Sequence, residues 1–213
     1  MTLTDVYNKL LNIPGYYVTI GTDGSILEND FEVCKPALSR RGFQVHLIPG
    51  SFNPLHESHC EIYTNALKYL PTAGADRNAL VCFEMSIVRI DKPPVTFEQF
   101  LERVAQFRGY APVAVSNAAR FVSKIGTYIA QAEKITFHVG IDCITRMQHD
   151  YGLVGIQGLA AEFIVYDRII DDKLMRLESD FANFTPRNCR SANLIRTRES
   201  LIRSSTAIRN QTK

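Results

Sequence analysis

Two histidines, His56 and His59, stand three residues apart where the chain is expected to pass from a strand into a helix. The apolar run 45–49 before them predicts a buried strand, and apolar residues recur at helical spacing in 56–70. Residues three apart share one face of a helix. A helix N-terminus offers N–H groups without intrahelical partners, and the glycine and serine that follow the strand let an anion approach the backbone. The pattern predicts phosphate binding.

A second polar element lies near the end of the chain, where Ser204, Ser205 and Thr206 precede Arg209. Three consecutive hydroxyl side chains are also what an ordinary helix N-cap uses. Basic residues become more frequent over 187–213, which fits either a solvated helix face or an edge that faces phosphate. Both interpretations stay open at this point.

Strand and helix patterns alternate from residue 44 onward and must position these groups. Helical patterns are interleaved with five mostly apolar runs, which predict strands: 45–49, 79–85, 112–116, 135–139 and 162–166. Continuous rather than alternating apolar strands indicate a parallel sheet covered on both faces. We therefore predict an α/β fold, a Rossmann-like doubly wound parallel five-stranded sheet with helices on both faces. Such sheets bind ligands beyond the carboxyl ends of their strands.

The first 44 residues carry no motif. A strand pattern over 16–20 followed by a turn reads as an edge hairpin or as the remnant of a larger upstream domain. We divide the chain into an N-terminal extension of unknown role, 1–44, and a second domain, 45–213, which carries the motifs.

Composition excludes several classes of protein. Apolar residues make up 46% and charged residues 22% of 213, as in an ordinary globular domain. A net charge of +2 gives no reason to expect nucleic-acid binding. No apolar run approaches the ~20 residues that span a bilayer, and no secretory signal is seen, so we expect a cytoplasmic protein. The five cysteines are scattered and odd in number, which argues against a zinc site or a disulfide framework.

The stretch around the two histidines resembles the GxFxPxHxGH signature of the nucleotidylyltransferase superfamily. The matching residues are Gly50, Phe52, Pro54, His56 and His59, and Ser58 stands where the family usually has glycine. The segment 202–209 resembles the ISSTxIR element of the same superfamily, with Arg203 inserted before the serines. The resemblance covers about residues 45–209.

This resemblance implies a reaction in which a phosphate oxygen of an acceptor attacks the α-phosphate of a nucleoside triphosphate and pyrophosphate leaves. His56 and His59 would bind the triphosphate and stabilise the transition state, and Arg209 would neutralise the pyrophosphate. Alternatively, the histidines cap the helix for structural reasons. The implied ATP-binding residues are Gly50, Ser51, Phe52, Asn53, Gly140, Asp142, Ser204, Ser205 and Thr206. No acidic cluster suggests a metal site of the protein's own, so Mg²⁺ is expected to arrive with ATP, held by its oxygens and water.

The sequence Gly-Ser-Phe-Asn-Pro resembles the form of this motif that is common among nicotinamide mononucleotide adenylyltransferases of the eukaryotic type. The segments 82–94 and 103–107 look like a divergent cytidylyltransferase-like branch to which the same activity is assigned. This implies that ATP and a mononucleotide are the partners, with NAD and pyrophosphate as products, and leaves self-association into a homo-oligomer open. The implied acceptor contacts are Lys92, Ser86, Asn117 and Arg103, although Lys92 is equally explained as a loop lysine beside a rigid Pro-Pro turn.

Other substrates remain as alternatives at this stage. CTP with a phosphorylated alcohol, or pantetheine phosphate with ATP, would use the same triphosphate motifs, since these motifs contact phosphates rather than bases. A non-catalytic nucleotide-binding protein is the third interpretation, and Ser58 is the feature that favours it.

Overall fold

The computed structural model describes residues 1–29, 42–70, 79–90, 92–170, 173–181 and 186–192. The elements within these ranges, in chain order, are α1 Leu3–Asn12, β1 Tyr17–Ile20, β2 Ile26–Glu28, β3 Gln44–Pro49, α2 Glu57–Ala66, β4 Ala79–Ser86, α3 Phe97–Ala105, β5 Val113–Ser116, α4 Phe121–Tyr128, β6 Lys134–Gly140, α5 Ile141–Gln157, β7 Glu162–Tyr166, β8 Arg168–Ile170, β9 Lys173–Met175, α6 Leu177–Asp180 and β10 Cys189–Ala192.

Eight of these strands form one sheet in the order β10-β7-β6-β3-β4-β5-β1-β2. Neighbours from β10 to β5 are parallel, whereas β1 runs antiparallel to both β5 and β2. The apolar runs that predicted strands are buried along most of their length, because helices cover both faces of the sheet. The predicted α/β, Rossmann-like fold is confirmed.

The prediction of five strands is wrong in number. All five predicted strands are present, but β10 adds a sixth parallel strand beside β7. Its residues after Cys189 are only partly buried or exposed, so it carries no apolar run that would have revealed it. The N-terminal segment supplies β1 and β2, and β1 pairs with β5. Of the two interpretations of that segment, the structure shows the edge hairpin.

The helices divide between the two faces of the sheet. Side chains of α1, α2 and α3 pack into one apolar core, which includes Ile62 and Phe100, and we call this side the α2 face. Side chains of α4, α5 and α6 pack into a second core, which includes Ile125 and Ile144, on the α4 face. Successive residues of a strand point to opposite faces. The doubly wound arrangement follows from this division.

The helix bounds differ modestly from those that periodicity predicts. The helix predicted over 56–70 is α2, which ends at Ala66 and continues as a 3-10 turn, Leu67–Tyr69. Helix α5 runs from Ile141 to Gln157, with a break at Gly152, whose φ is 68°. Within the described ranges, no helix has the length and apolar character that a membrane span requires.

The order of the strands creates a crevice at one point of the sheet. From β3 the chain adds β4 and β5 on one side, and then returns to place β6 on the other side of β3. The segments that leave β3 and β6 therefore lead to helices on opposite faces. This is the switch point at which open α/β sheets bind their ligands.

Candidate active site

A cleft of about 520 Å³ opens at the carboxyl ends of the strands, around the switch point between β3 and β6. Nine of the residues singled out in the sequence line it: Gly50, Ser51, His56, His59, Ser86, Lys92, Arg103, Gly140 and Asp142. They come from segments as far apart in the chain as the turn after β3 and the start of α5. The fold therefore brings most of the expected phosphate and acceptor residues to one place.

Three expected residues do not line this cleft. The side chain of Phe52 is fully buried beneath it. Asn53 is half-buried and lies outside the lining. Asn117 lines a separate depression beside the end of α1, and its Nδ2 donates to the carbonyl oxygen of Ile13 at 2.6 Å. The four residues of the C-terminal element lie outside the described residues: Ser204, Ser205, Thr206 and Arg209.

The turn after β3 is held in a compact shape by Phe52. Its φ of 44° lies in the left-handed region, which a non-glycine residue adopts only when its surroundings enforce it. The ring makes edge contacts with Phe83 and Phe107, at centroid distances of 5.2 and 5.1 Å. A Cβ at position 50 would lie 2.6 Å from this ring, so Gly50 is required by the packing of the turn itself. Phe52 thus supports the cleft from below.

The two histidines stack on each other at the start of α2. His56 occupies the N-cap position, and its backbone N–H donates to Nδ1 of His59 at 3.3 Å. The two ring centroids are 3.7 Å apart. Burial, and to a smaller extent the neighbouring His56 and Arg168, lower the pKa of His59 to about 2.

It follows that His59 is neutral at physiological pH. Because Nδ1 accepts a hydrogen bond, the proton of the neutral ring lies on Nε2, which is therefore a hydrogen-bond donor. His59 is suited to donate a hydrogen bond to a phosphate oxygen without carrying charge itself.

Charge in the cleft comes instead from lysines and arginines. The cleft lining includes seven such residues: Arg89, Lys92, Arg103, Arg120, Lys124, Arg146 and Arg168. It includes two acidic residues, Asp142 and Asp150. The whole chain carries a net charge of only +2, so positive charge is concentrated at this edge of the sheet. Such a cleft attracts polyanions.

Helix α3 fixes the backbone of the turn after β3. Arg103, which is 4% exposed, donates from a guanidinium nitrogen to the carbonyl oxygen of Ser51 at 3.2 Å. Gln106 donates to the carbonyl oxygen of Phe52 at 3.0 Å and accepts from the N–H of Leu55 at 2.7 Å. Sequence reasoning did not single out Gln106, because nothing in its local context shows that it meets a turn some fifty residues earlier.

Gly140 and Asp142 form the corresponding corner after β6. Arg168 donates to one carboxylate oxygen of Asp142 at 3.1 Å, and Arg146 donates to the other at 3.3 Å. A Cβ at position 140 would lie 2.5 Å from that carboxylate and 2.9 Å from Cδ of Arg168. The absence of a side chain at Gly140 therefore makes room for the Asp142–Arg168 pair.

Arg168 was missed in the sequence, although a signal existed. It follows the fifth predicted strand by two residues, at the edge where ligands of open α/β sheets bind. Lys124 was missed as well. It is buried in α4, lines the cleft, and is ion-paired with Glu84 at 2.6 Å.

Among the described residues, no group of three or more His, Cys, Asp or Glu side chains is arranged to hold a metal ion. The carboxylate of Asp142 is engaged by two arginines. The donor set of this cleft is thus suited to bind anions.

The chain is similar in structure to a solved adenylyltransferase. That structure is the Plasmodium falciparum nicotinic acid mononucleotide adenylyltransferase complexed with APC, with a TM-score of 0.52 and 15% sequence identity, covering 79% of this chain and 83% of that chain. No protein-family model matches the chain, and no curated protein matches it. At this level of identity the likeness shows the fold, a mostly parallel Rossmann-like sheet flanked by helices.

Proposed function

We propose that this protein is a nucleotidyltransferase that transfers AMP from ATP to nicotinamide mononucleotide, giving NAD and pyrophosphate. The observation that carries the proposal is the meeting of the stacked His56 and His59 with the Gly140–Asp142 corner in one cationic cleft at the switch point. The structural likeness to an adenylyltransferase supports the same type of reaction. The motif resemblance of the turn after β3 supports the nucleotidylyltransferase superfamily.

In this reaction an oxygen of the acceptor's phosphate forms a bond to the α-phosphorus of ATP, and the bond from that phosphorus to the bridging oxygen breaks. No side chain has to act as a nucleophile, so catalysis consists of positioning and charge neutralisation. His59 would donate from Nε2 to a phosphate oxygen, and the arginines and lysines of the cleft would offset the charge of the triphosphate. Ser204, Ser205, Thr206 and Arg209 are proposed to contact the leaving pyrophosphate.

Mg²⁺ is expected to accompany the triphosphate and to supply further charge neutralisation. The cleft suits an ion carried mainly by nucleotide oxygens and water, because the carboxylate of Asp142 is already bound by Arg146 and Arg168.

Pyrophosphate release separates this proposal from its alternatives. The purified protein is incubated with ATP or CTP and, in turn, with nicotinamide mononucleotide, nicotinic acid mononucleotide, pantetheine phosphate and a phosphorylated alcohol. We expect release with ATP and a pyridine mononucleotide. Release only with CTP or only with another acceptor would replace the proposed substrates, and ATP binding without release on any acceptor would favour a nucleotide-binding protein.

His59→Ala tests the role of the stacked histidines. Loss of one preorganised donor to a transition state typically lowers kcat by about 10²–10³. We expect a loss of this size in pyrophosphate release, with an unchanged circular dichroism spectrum. His149→Ala is the matched control, because the side chain of His149 is 92% exposed on α5. A His59→Ala protein that keeps the rate of the His149→Ala protein would remove His59 from the mechanism.

A further inference from the structure

A buried ion pair lies at the bottom of the cleft on the α4 face. Glu84 is 0% exposed on β4, and Lys124, from α4, reaches its Oε2 with Nζ at 2.6 Å. The other carboxylate oxygen accepts from the hydroxyls of Ser116 at 2.9 Å and Tyr128 at 3.2 Å. The carboxylate of Glu84 is therefore held by three donors, and it fixes the position of Lys124.

Stability gives little reason for such a pair. Removing two charges from water is costly, and well-packed apolar residues often serve equally well or better. An ammonium has three N–H donors, and within the described ranges the hydrogen bond of Lys124 Nζ is the one to Glu84. Lys124 also lines the cleft. Its remaining donors are therefore available to an oxygen of a molecule bound in the cleft.

The net charge of this pair differs from that of the cleft rim. Lys92 and Arg120 are exposed cations in the lining, suited to phosphate. The Lys124–Glu84 pair is neutral as a unit. The carboxylate of an acidic ligand placed against this pair would lose its hydration and gain no net opposite charge. It would also lie close to the negatively charged Glu84. An uncharged oxygen would accept the N–H of Lys124 without this penalty.

The geometry of phosphoryl transfer indicates which part of the acceptor reaches the pair. The attacking oxygen and the leaving pyrophosphate lie roughly in line, on opposite sides of the α-phosphorus. His56 and His59, proposed to hold the triphosphate, begin α2 on the α2 face, whereas Lys124 lies on the α4 face. An acceptor bound on the α4 face would have its phosphate at the switch point and its ring nearer to Lys124.

The lining on that side fits a ring. It includes the half-buried aromatic side chains of Phe121 and Tyr151 and the buried Met147. A pyridine ring bound against these side chains would present its carboxamide group to Lys124.

We propose that Lys124 donates a hydrogen bond to the carboxamide oxygen of nicotinamide mononucleotide, and that Glu84 is a positioning residue whose charge makes this site favour the amide over the acid. The inference rests on the proposed function and deepens it by naming the preferred acceptor. It predicts that the wild-type protein uses nicotinamide mononucleotide at a higher kcat/KM than nicotinic acid mononucleotide.

The experiment measures kcat/KM for both mononucleotides, with saturating ATP, in the wild type and in two variants. Glu84→Gln keeps the shape of the side chain and leaves Lys124 with an uncompensated charge, so the ratio of the two values is expected to shift toward the acid by at least about tenfold. Lys124→Met removes the donors, and we expect kcat/KM for the amide to fall by at least about tenfold, mainly through KM.

The matched controls come from a second lysine–glutamate pair in the same sheet. Lys134 and Glu162 are 2.9 Å apart at the opposite, amino-terminal edge. Glu162→Gln and Lys134→Met repeat the same chemical changes away from the cleft, and we expect neither to alter the ratio.

The outcomes separate the two proposals. If the wild type releases pyrophosphate with neither mononucleotide, the proposed function fails, and this inference fails with it. If it is active but prefers the acid, or if Glu84→Gln changes both values equally, only the inference is overturned. If Glu84→Gln does not fold, as judged by circular dichroism, two results still test the inference. These are the ratio of the two kcat/KM values in the wild type and the fall in kcat/KM for the amide in Lys124→Met.

Discussion

Acid is expected to destabilise this protein through two histidines buried in the sheet, His46 and His138. His46 lies on β3 and is 4% exposed, and His138 lies on the neighbouring β6 and is 1% exposed. Nδ1 of His46 is 3.0 Å from Nε2 of His138, whose Nδ1 is 2.9 Å from the hydroxyl of Tyr166. Both rings are thus enclosed and bonded to uncharged partners.

Burial lowers the pKa of His46 to about 4 and the pKa of His138 to about 3 from an ordinary value of 6.5, with smaller effects of Lys134 on the first and of His46 on the second. At pH 7 both rings are neutral in the folded and unfolded chain. As pH falls below 6.5, the unfolded chain binds protons that the folded one does not, so the free energy of unfolding decreases. Each pH unit in this window costs about 1.4 kcal/mol per histidine, or about 2 kcal/mol each at pH 5.

Urea unfolding at pH 7 and pH 5, followed by circular dichroism, measures this effect. In His46→Gln the loss of unfolding free energy between the two pH values is expected to be about 2 kcal/mol smaller than in the wild type. Carboxylates contribute to both proteins and cancel in the comparison. His149→Gln, in which an exposed histidine is removed, is expected to match the wild type. An identical pH dependence in His46→Gln and the wild type would refute the argument.

Two further predictions concern the cleft. Gly140→Ala is expected to lower kcat/KM about tenfold to a hundredfold in the pyrophosphate assay, because the added Cβ displaces Asp142 and Arg168, whereas Gly126→Ala, with no atom within 4 Å of its Cβ, is expected to have no effect. Equal rates in the two variants would contradict this account of the corner. Raising KCl from about 0.05 to 0.5 M is expected to raise the KM for ATP, since screening weakens attraction to the cationic lining. A KM that is independent of salt would show that this charge does not contribute to binding.

The sequence contained most of the information on the fold, because the central strands are buried on both faces. Runs such as 79–85 and 135–139 are mostly apolar, and such runs are visible without any knowledge of their neighbours. Strand β10 was not visible, since Arg190 and Ser191 at the sheet edge are not fully buried. Its pairing with β7 depends on tertiary contacts that the local sequence does not show.

For the candidate site too, the sequence reveals some residues and only the folded structure reveals others. Gly50, His56 and His59 lie close together in the chain, so their types and spacing could be read directly. Lys124 and Arg168 are single basic residues, and only the folded chain shows that they line the same cleft. For Asn117, position after a strand suggested substrate contact, but the carbonyl oxygen of Ile13, more than a hundred residues earlier, engages its amide.

The amide of Gln106 has a consequence for how this protein varies in evolution. It joins the two ends of the turn after β3, with one end as a hydrogen-bond donor to Phe52 and the other as an acceptor from Leu55. Glutamate at this position would lose the donor, lysine the acceptor, and asparagine the length. Position 106 lies outside the cleft lining, yet under the proposed function natural selection is expected to restrict it as strongly as residues that would touch the nucleotide.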